Sequence, residues 1–209
     1  TEGTSVHAIG TPLVTNSDGT KFGKSEGNAI WLDAAMCSPY AMYQFWLNTD
    51  DADVATRLKV FTFLTRAEIE ALEQKVADEP FRREAQRRLA WEVTALVHGV
   101  DAATAAIDAS QALFGQGELS ALDAETLAAA LRELPNISVP AGVTVVQALV
   151  DTGLCSSLGE ARRAVAQGGV SLDNVKVTDE AASITGALPG GVSVLRRGKK
   201  TLAGIFIQG

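Results

Sequence analysis

The 209-residue sequence predicts an α+β fold in three zones, and three observations carry that prediction. Apolar residues recur at helical spacing, punctuated by capping signals, from about residue 34 to residue 134. Near the end, Val192–Leu195 and Leu202–Ile207 flank a glycine-bearing turn, which is a hairpin signal. Residues 1–33 fit neither periodicity and are rich in glycine and turn formers.

In the first zone, Pro12–Thr15 and Ile30–Leu32 read as strand pieces. Between them Gly19, Gly23 and Gly27 recur at every fourth position, which suits neither helix nor strand and predicts a mobile loop. The second zone reads as six helices with short connections, an α-bundle. Ser38-Pro39 is a cap followed by proline at the first helical position. Asp50 and Asp51 cap a helix running to about Leu64, and Thr65 with Glu68 forms a capping box. Pro80 opens a longer helix stopped by Gly99, Asp101 begins another, and Asp123 begins the last before Pro135.

Residues 135–142, with two prolines and a glycine, read as a hinge. Residues 143–209 then form a small α+β module. Thr144 caps one short helix, Ser157 and Glu160 suggest a capping box on a second, and Gly168-Gly169 ends it. Val170–Leu172 and Val175–Val177 flank a turn at Asp173-Asn174, ahead of the terminal hairpin.

Composition narrows the function classes. No apolar run approaches the roughly 20 residues of a membrane helix. Cys37 and Cys155 lie far apart in no ligand pattern, which reads as reduced thiols of a cytoplasmic protein. His7 and His98 are too isolated for a metal site. The start at Thr1, with no charged-then-apolar leader, reads as a segment of a longer protein without a signal peptide. The net charge of −7 argues against wholesale coating of nucleic acid, but it conceals a gradient. Residues 1–140 carry 11 basic and 20 acidic side chains, whereas residues 141–209 carry 7 and 5. No acid follows Glu180, and Arg196, Arg197, Lys199 and Lys200 cluster beyond it, which suits local contact with an anion. Arg82, Arg83, Arg87 and Arg88 read as solvated charge on one helix.

Gly23-Lys24-Ser25 is not a phosphate-binding P-loop: only three residues separate Gly19 from Gly23, and Asp18 stands where the motif's first glycine belongs. Lys21 and Lys24 nevertheless set two cations three residues apart on a glycine-hinged loop. Such a pair suits a reaction that expels pyrophosphate, in which negative charge gathers on the β- and γ-phosphates in the transition state.

Lys21-Phe22-Gly23-Lys24-Ser25 resembles the KMSKS signature of class I aminoacyl-tRNA synthetases, in the KFGKS form of bacterial tyrosyl-tRNA synthetases. Its flanks resemble that family in order: Trp31-Leu-Asp33, Ser38-Pro-Tyr40, Tyr43-Gln-Phe-Trp-Leu-Asn48, Asp51-Ala-Asp-Val54, Leu96-Val-His-Gly99 and Leu195-Arg-Arg-Gly-Lys-Lys200. The family's other signature, HIGH, is absent, and His7-Ala-Ile-Gly10 is no substitute, so the resemblance is to the family's C-terminal portion. It implies the end of a catalytic domain over 1–33, a helical anticodon-binding domain over 34–134 and an RNA-binding tail over 143–209. The tail resembles the small module named after a small-subunit ribosomal protein.

The resemblance also implies roles. Lys21, Lys24 and Ser25 would serve catalysis, Lys24 touching ATP phosphate. Arg162, Arg163, Arg196, Arg197, Lys199 and Lys200 would touch tRNA(Tyr). ATP would be a substrate, with Mg2+ in the full enzyme and no cofactor held by this portion alone. The full enzyme would be a cytoplasmic homodimer, and this portion a monomer without catalysis of its own. A stand-alone RNA-binding module without chemistry is the alternative.

Overall fold

The computed structural model describes residues 7–10, 13–23 and 30–208. Side-chain caps open several of its helices, although Asp50, expected as one, makes no capping bond. The Ser38 hydroxyl accepts from the Ala41 amide at 3.1 Å and opens α1, Pro39–Leu47. Helix α2 spans Asp51–Phe61, and α3, Arg66–Asp78, starts from a complete Thr65–Glu68 capping box. Helix α4 covers Glu84–His98, and Gly99, at φ +92°, separates it from α5, Val100–Leu113. The Asp123 carboxylate accepts from the Thr126 amide at 2.8 Å and starts α6, Ala124–Arg132.

Proline does not open α4. Pro80–Arg82 is a single 3-10 turn, and Arg83 adopts a left-handed φ of +50° before the α-helix begins. The strain at Arg83 is matched by its side chain, which donates to the carbonyls of Leu47 at 2.7 Å and Thr49 at 3.1 Å. It thereby serves carbonyls that the end of α1 leaves open. Arg82 and Arg83 are therefore not on a helix with Arg87 and Arg88. Ile30–Leu32, expected as a strand, is irregular, and among the described residues near the start the one pairing is the bridge Thr15–Lys21.

The second half is a five-stranded sheet in the order β1-β5-β4-β2-β3, with β1 Asn136–Pro140, β2 Val170–Leu172, β3 Val175–Lys176, β4 Val192–Arg197 and β5 Thr201–Gln208. Helices α7, Val145–Asp151, and α8, Leu158–Ala166, lie between β1 and β2 in sequence. The stretch expected as a hinge holds β1, which runs parallel to β5 in the register Asn136↔Gly204 to Pro140↔Gln208. Pro140 is compatible with this because β1 is an edge strand, paired on one side only. The β2–β3 turn places Asp173 and Asn174 both at positive φ, +51° and +66°, as a two-residue hairpin turn requires.

Period-two alternation makes the sheet the middle of three layers. Val192, Val194 and Leu202 join Leu58, Leu89, Leu113 and Leu131 in one apolar cluster with the helices. Leu195, Ala203 and Ile205 join Leu149, Ala161 and Val165 of α7 and α8 in another. The bundle-facing row of β5 continues through Gly204, where α6 comes closest. A Cβ there would meet the Leu131 Cβ at 2.9 Å and the Leu131 carbonyl at 3.0 Å. Next along, Phe206 lies under the Arg132 guanidinium, 5.8 Å from its ring centroid. Asn174 adds a polar tether, donating to the Ala112 carbonyl at the end of α5 at 3.0 Å.

Candidate functional site

Residues 13–23 form a tight hairpin. The Asn16 amide donates to the Thr20 carbonyl at 2.8 Å, the Gly19 amide to the Asn16 carbonyl at 2.9 Å, and the Phe22 amide to the Val14 carbonyl at 3.2 Å. Gly19 sits at φ +83°, where a β-carbon would strain the turn. The Asp18 carboxylate accepts from the Thr20 hydroxyl at 2.6 Å and amide at 2.9 Å, and these bonds hold its pKa below the usual carboxylate range. Alternation then sorts the hairpin's side chains. Val14, Asn16 and Phe22 turn inward and are half-buried, while Thr15 and Lys21 are exposed.

Phe22 is the anchor. Its ring stands 5.5 Å from those of Trp46 and Phe61 and 5.9 Å from that of Phe45, tying the hairpin to α1 and α2. From the other side, the Arg57 guanidinium lies 4.1 Å from the Phe22 centroid. Arg57 also donates to the Asn16 side-chain oxygen at 2.6 Å and pairs with Asp53 at 3.2 Å, one turn back on α2. Both ions of that pair are buried, with side-chain exposures of 7 % and 11 %. A cavity of about 380 Å³ separates the hairpin from the bundle, lined among others by Asn16, Asp18, Phe22, Asn48, Asp50 and Arg57. Lys24 and Ser25 lie outside the described residues. The sequence reading missed Arg57 and Asp53. Their signal was an Asp–Arg pair at i,i+4 among apolar neighbours, a pattern equally common on solvated helices.

The basic turn of the tail is divided by its surroundings. The strand bonds end at the pair Arg197↔Thr201, leaving Lys199 and Lys200 exposed on the turn itself. Arg196 and Arg197 belong to β4 and are held by the protein's own acceptors. Arg196 donates to the Asn174 side-chain oxygen and approaches Gly115 beyond α5. Arg197 reaches the Leu154 carbonyl and pairs with Glu160 at 2.6 Å. Four cations that cluster in sequence are thus divided in space, because the acceptors that hold Arg196 and Arg197 are distant in sequence and close in the fold. On α8, Arg162 is exposed and stands 3.8 Å from the exposed Glu180, and Arg163 is exposed. An exposed pair at that distance contributes little and leaves Arg162 available. A depression of about 490 Å³ between the end of α8 and the hairpin is lined by Ala164, Gln167, Arg197, Gly198 and Thr201.

Glu160 does not complete a capping box with Ser157. The Ser157 hydroxyl accepts from the Glu160 amide at 3.3 Å, but the Glu160 carboxylate turns to Ser156, accepting from its hydroxyl at 2.6 Å and its amide at 2.8 Å. These bonds first, and Arg197 second, hold the Glu160 pKa down to about 2. A depressed carboxylate stabilises the fold above its unfolded value of about 4.3 and loses that contribution as pH falls toward the folded value. Glu160→Gln is therefore expected to lower the melting temperature at pH 7. The gap to wild type closes between about pH 4.3 and pH 2, read from melts across that range. A gap that persists unchanged at pH 2 would show that the carboxylate charge is not what Gln removes.

A lysine-bearing hairpin is seated on a helical bundle, and a sheet module with exposed cations follows it. A family model described as tRNA synthetases class I (W and Y) matches residues 3–115, and the chain belongs to that family. Within it the tyrosine branch is the one represented, since a model described as Tyrosine--tRNA ligase SYY-like C-terminal domain matches residues 126–204. The tyrosine–tRNA ligase of Leifsonia xyli is 69 % identical over 209 residues, covering 99 % of this chain and 47 % of that protein. Those of Streptomyces coelicolor and a Mycobacterium species are each 53 % identical, covering 98 % and 97 % of this chain and 49 % of their own length. The chain thus spans about half the length of the curated relatives it matches. A solved structure of a C-terminally truncated mitochondrial tyrosyl-tRNA synthetase from Coccidioides posadasii shares 40 % identity over 47 % of this chain and 25 % of its own, at a TM-score of 0.41.

Proposed function

We propose that the chain is the tRNA-facing portion of a tyrosine–tRNA ligase, which joins tyrosine to ATP, releases pyrophosphate and passes tyrosine to tRNA(Tyr). The observation that carries this reading is the lysine hairpin itself, which lies inside the family match and is held by Phe22 against the helices. Lys21 and Lys24 would meet the β- and γ-phosphates as charge gathers on them, and Ser25 would hydrogen-bond alongside. Mg2+ would enter with ATP. Residues 34–134 would face the anticodon stem, and residues 143–209 would act as the ribosomal-protein-like RNA module. Dimerisation would rest on the nucleotide-binding half, leaving this portion monomeric, and the site of work would be the cytoplasm. No helix among the described residues is long and apolar enough to cross a membrane.

The test has two arms. The complete polypeptide is expected to catalyse tyrosine-dependent exchange of pyrophosphate into ATP, and the 209-residue chain alone is not; absence of exchange in the complete protein overturns the reading. For the RNA contact, the exposed pair matters. Lys199→Ala with Lys200→Ala is expected to flatten the slope of log affinity for tRNA against log salt by about 1.4–1.8 units, at 0.7–0.9 per phosphate contact. Adding Arg196→Ala and Arg197→Ala is expected to change melting more than salt slope, because those side chains serve the protein's own carbonyls and carboxylate. Equal slope losses from all four would contradict the division of the turn.

A further inference from the structure

Arg57 has a position that its pairing with Asp53 alone does not explain. It is 5 % exposed, yet its guanidinium reaches across from α2 to both strands of the hairpin. It donates to Asn16 on the outgoing strand and stacks on Phe22 of the returning strand. Asn16 and Phe22 each adjoin a residue of the Thr15–Lys21 bridge. A group that fixes residues 16 and 22 fixes the plane of that bridge, and with it the direction in which Lys21 leaves the hairpin. Asp53 fixes the guanidinium in turn, and Asn16 passes the constraint to the turn by donating from its amide to the Thr20 hydroxyl at 2.8 Å. Among the described residues, the Nε and Nη1 groups of Arg57 are buried without a protein partner beside the hairpin's cavity. A cation held so incompletely satisfied costs stability relative to an apolar side chain.

We propose that Arg57 is a positioning residue for the lysine hairpin: by clamping Asn16 and Phe22 together it sets the hairpin against the bundle, so that Lys21 approaches the phosphates from a fixed platform. Arg57 does not touch the reacting atoms. A lysine in its place would keep the charge beside Asp53 but lacks the planar fork that serves a side-chain oxygen and an aromatic face at once. The inference rests on the synthetase reading for its catalytic consequence, though not for the clamp itself.

Two measurements separate the clamp from that reading. In the 209-residue chain, Arg57→Lys and Asn16→Ala are expected to accelerate hydrogen exchange of the Phe22 amide at least about tenfold, the level at which an opening is made about 1.4 kcal/mol easier. The effects are expected to combine to less than their sum in free energy, because both variants remove the Arg57–Asn16 bond. Where Arg57→Lys does not fold, Asn16→Ala, which leaves the Arg57–Asp53 pair in place, decides alone. An unchanged Phe22 amide in a folded variant overturns the proposal, and so does simple addition of the two effects. In the complete polypeptide, Arg57→Lys is expected to lower kcat for pyrophosphate exchange about tenfold with the KM for tyrosine unchanged, because a displaced lysine is missed in the transition state and not in tyrosine binding. A change confined to KM overturns the positioning role. A wild-type polypeptide without tyrosine-dependent exchange removes the synthetase reading, and the Phe22 amide still decides the clamp.

Discussion

Lys24→Ala in the complete polypeptide is expected to lower kcat for pyrophosphate exchange by about 10²–10³-fold, the usual consequence of deleting one group aimed at charge that develops in a transition state. The KM for tyrosine is expected to change little, because on the proposed reading Lys24 meets phosphate, and the negative charge there grows as pyrophosphate departs. Steady-state exchange at varied tyrosine and ATP distinguishes this from a binding defect. A variant that loses affinity for tyrosine while turning over normally would take Lys24 out of the transition state. Lys24→Arg is expected to recover only part of the rate, since a guanidinium fork replaces a compact ammonium.

The largest effect on stability is expected at Gly204. This residue sits where the bundle-facing row of β5 meets α6, with the Leu131 carbonyl 3.0 Å from any added Cβ. A backbone carbonyl cannot rotate aside as a flexible side chain can, so Gly204→Val must push α6 from the sheet or bend β5. Overpacking of this kind costs about 1–3 kcal/mol and can exceed that when backbone must move. We expect about 3 kcal/mol from urea unfolding, and roughly half that for Gly204→Ala. Because Leu131, Val194 and Leu202 share one cluster, bundle and sheet are expected to lose stability together in a single transition. Two separated transitions, with only the tail weakened, would show that the shared cluster does not couple them.

The helices of the bundle were legible because their ends are marked by local chemistry. Ser38-Pro39, Thr65 with Glu68, and Asp123 satisfy backbone amides within three residues, so each signal lies entirely inside its own segment. The terminal hairpin and the Asp173-Asn174 turn were legible for the same reason. What escaped depends on partners far along the chain. Strand β1 carries Pro140 and is followed by Gly142, and it becomes a strand only because β5 pairs with it. The start of α4 shifted because Arg83 found the carbonyls of Leu47 and Thr49. The charge of Arg197 looked unopposed because Glu160 is 37 residues away. For the candidate site, the lysines could be read from their spacing, whereas Phe22 and Arg57 could be read only once the hairpin and α2 were seen side by side.

The sheet order carries a consequence for how the protein is made. Strand β5 lies between β1 and β4, yet it is the last of the five to leave the ribosome. Until residues 201–208 are in place, β1 has no neighbour in the sheet and β4 keeps an open edge. The six helices of the bundle, with their local contacts, can form during synthesis, but the face of α6 that receives Gly204 stays uncovered until the final strand slots into the middle. A chain lacking residues 201–208 would therefore hold a finished bundle beside an unpaired β1 and an open edge on β4. Residues 201–208 are thus the stretch on which closure of both the sheet and the bundle's open face depends, and without them the strands are open to neighbours.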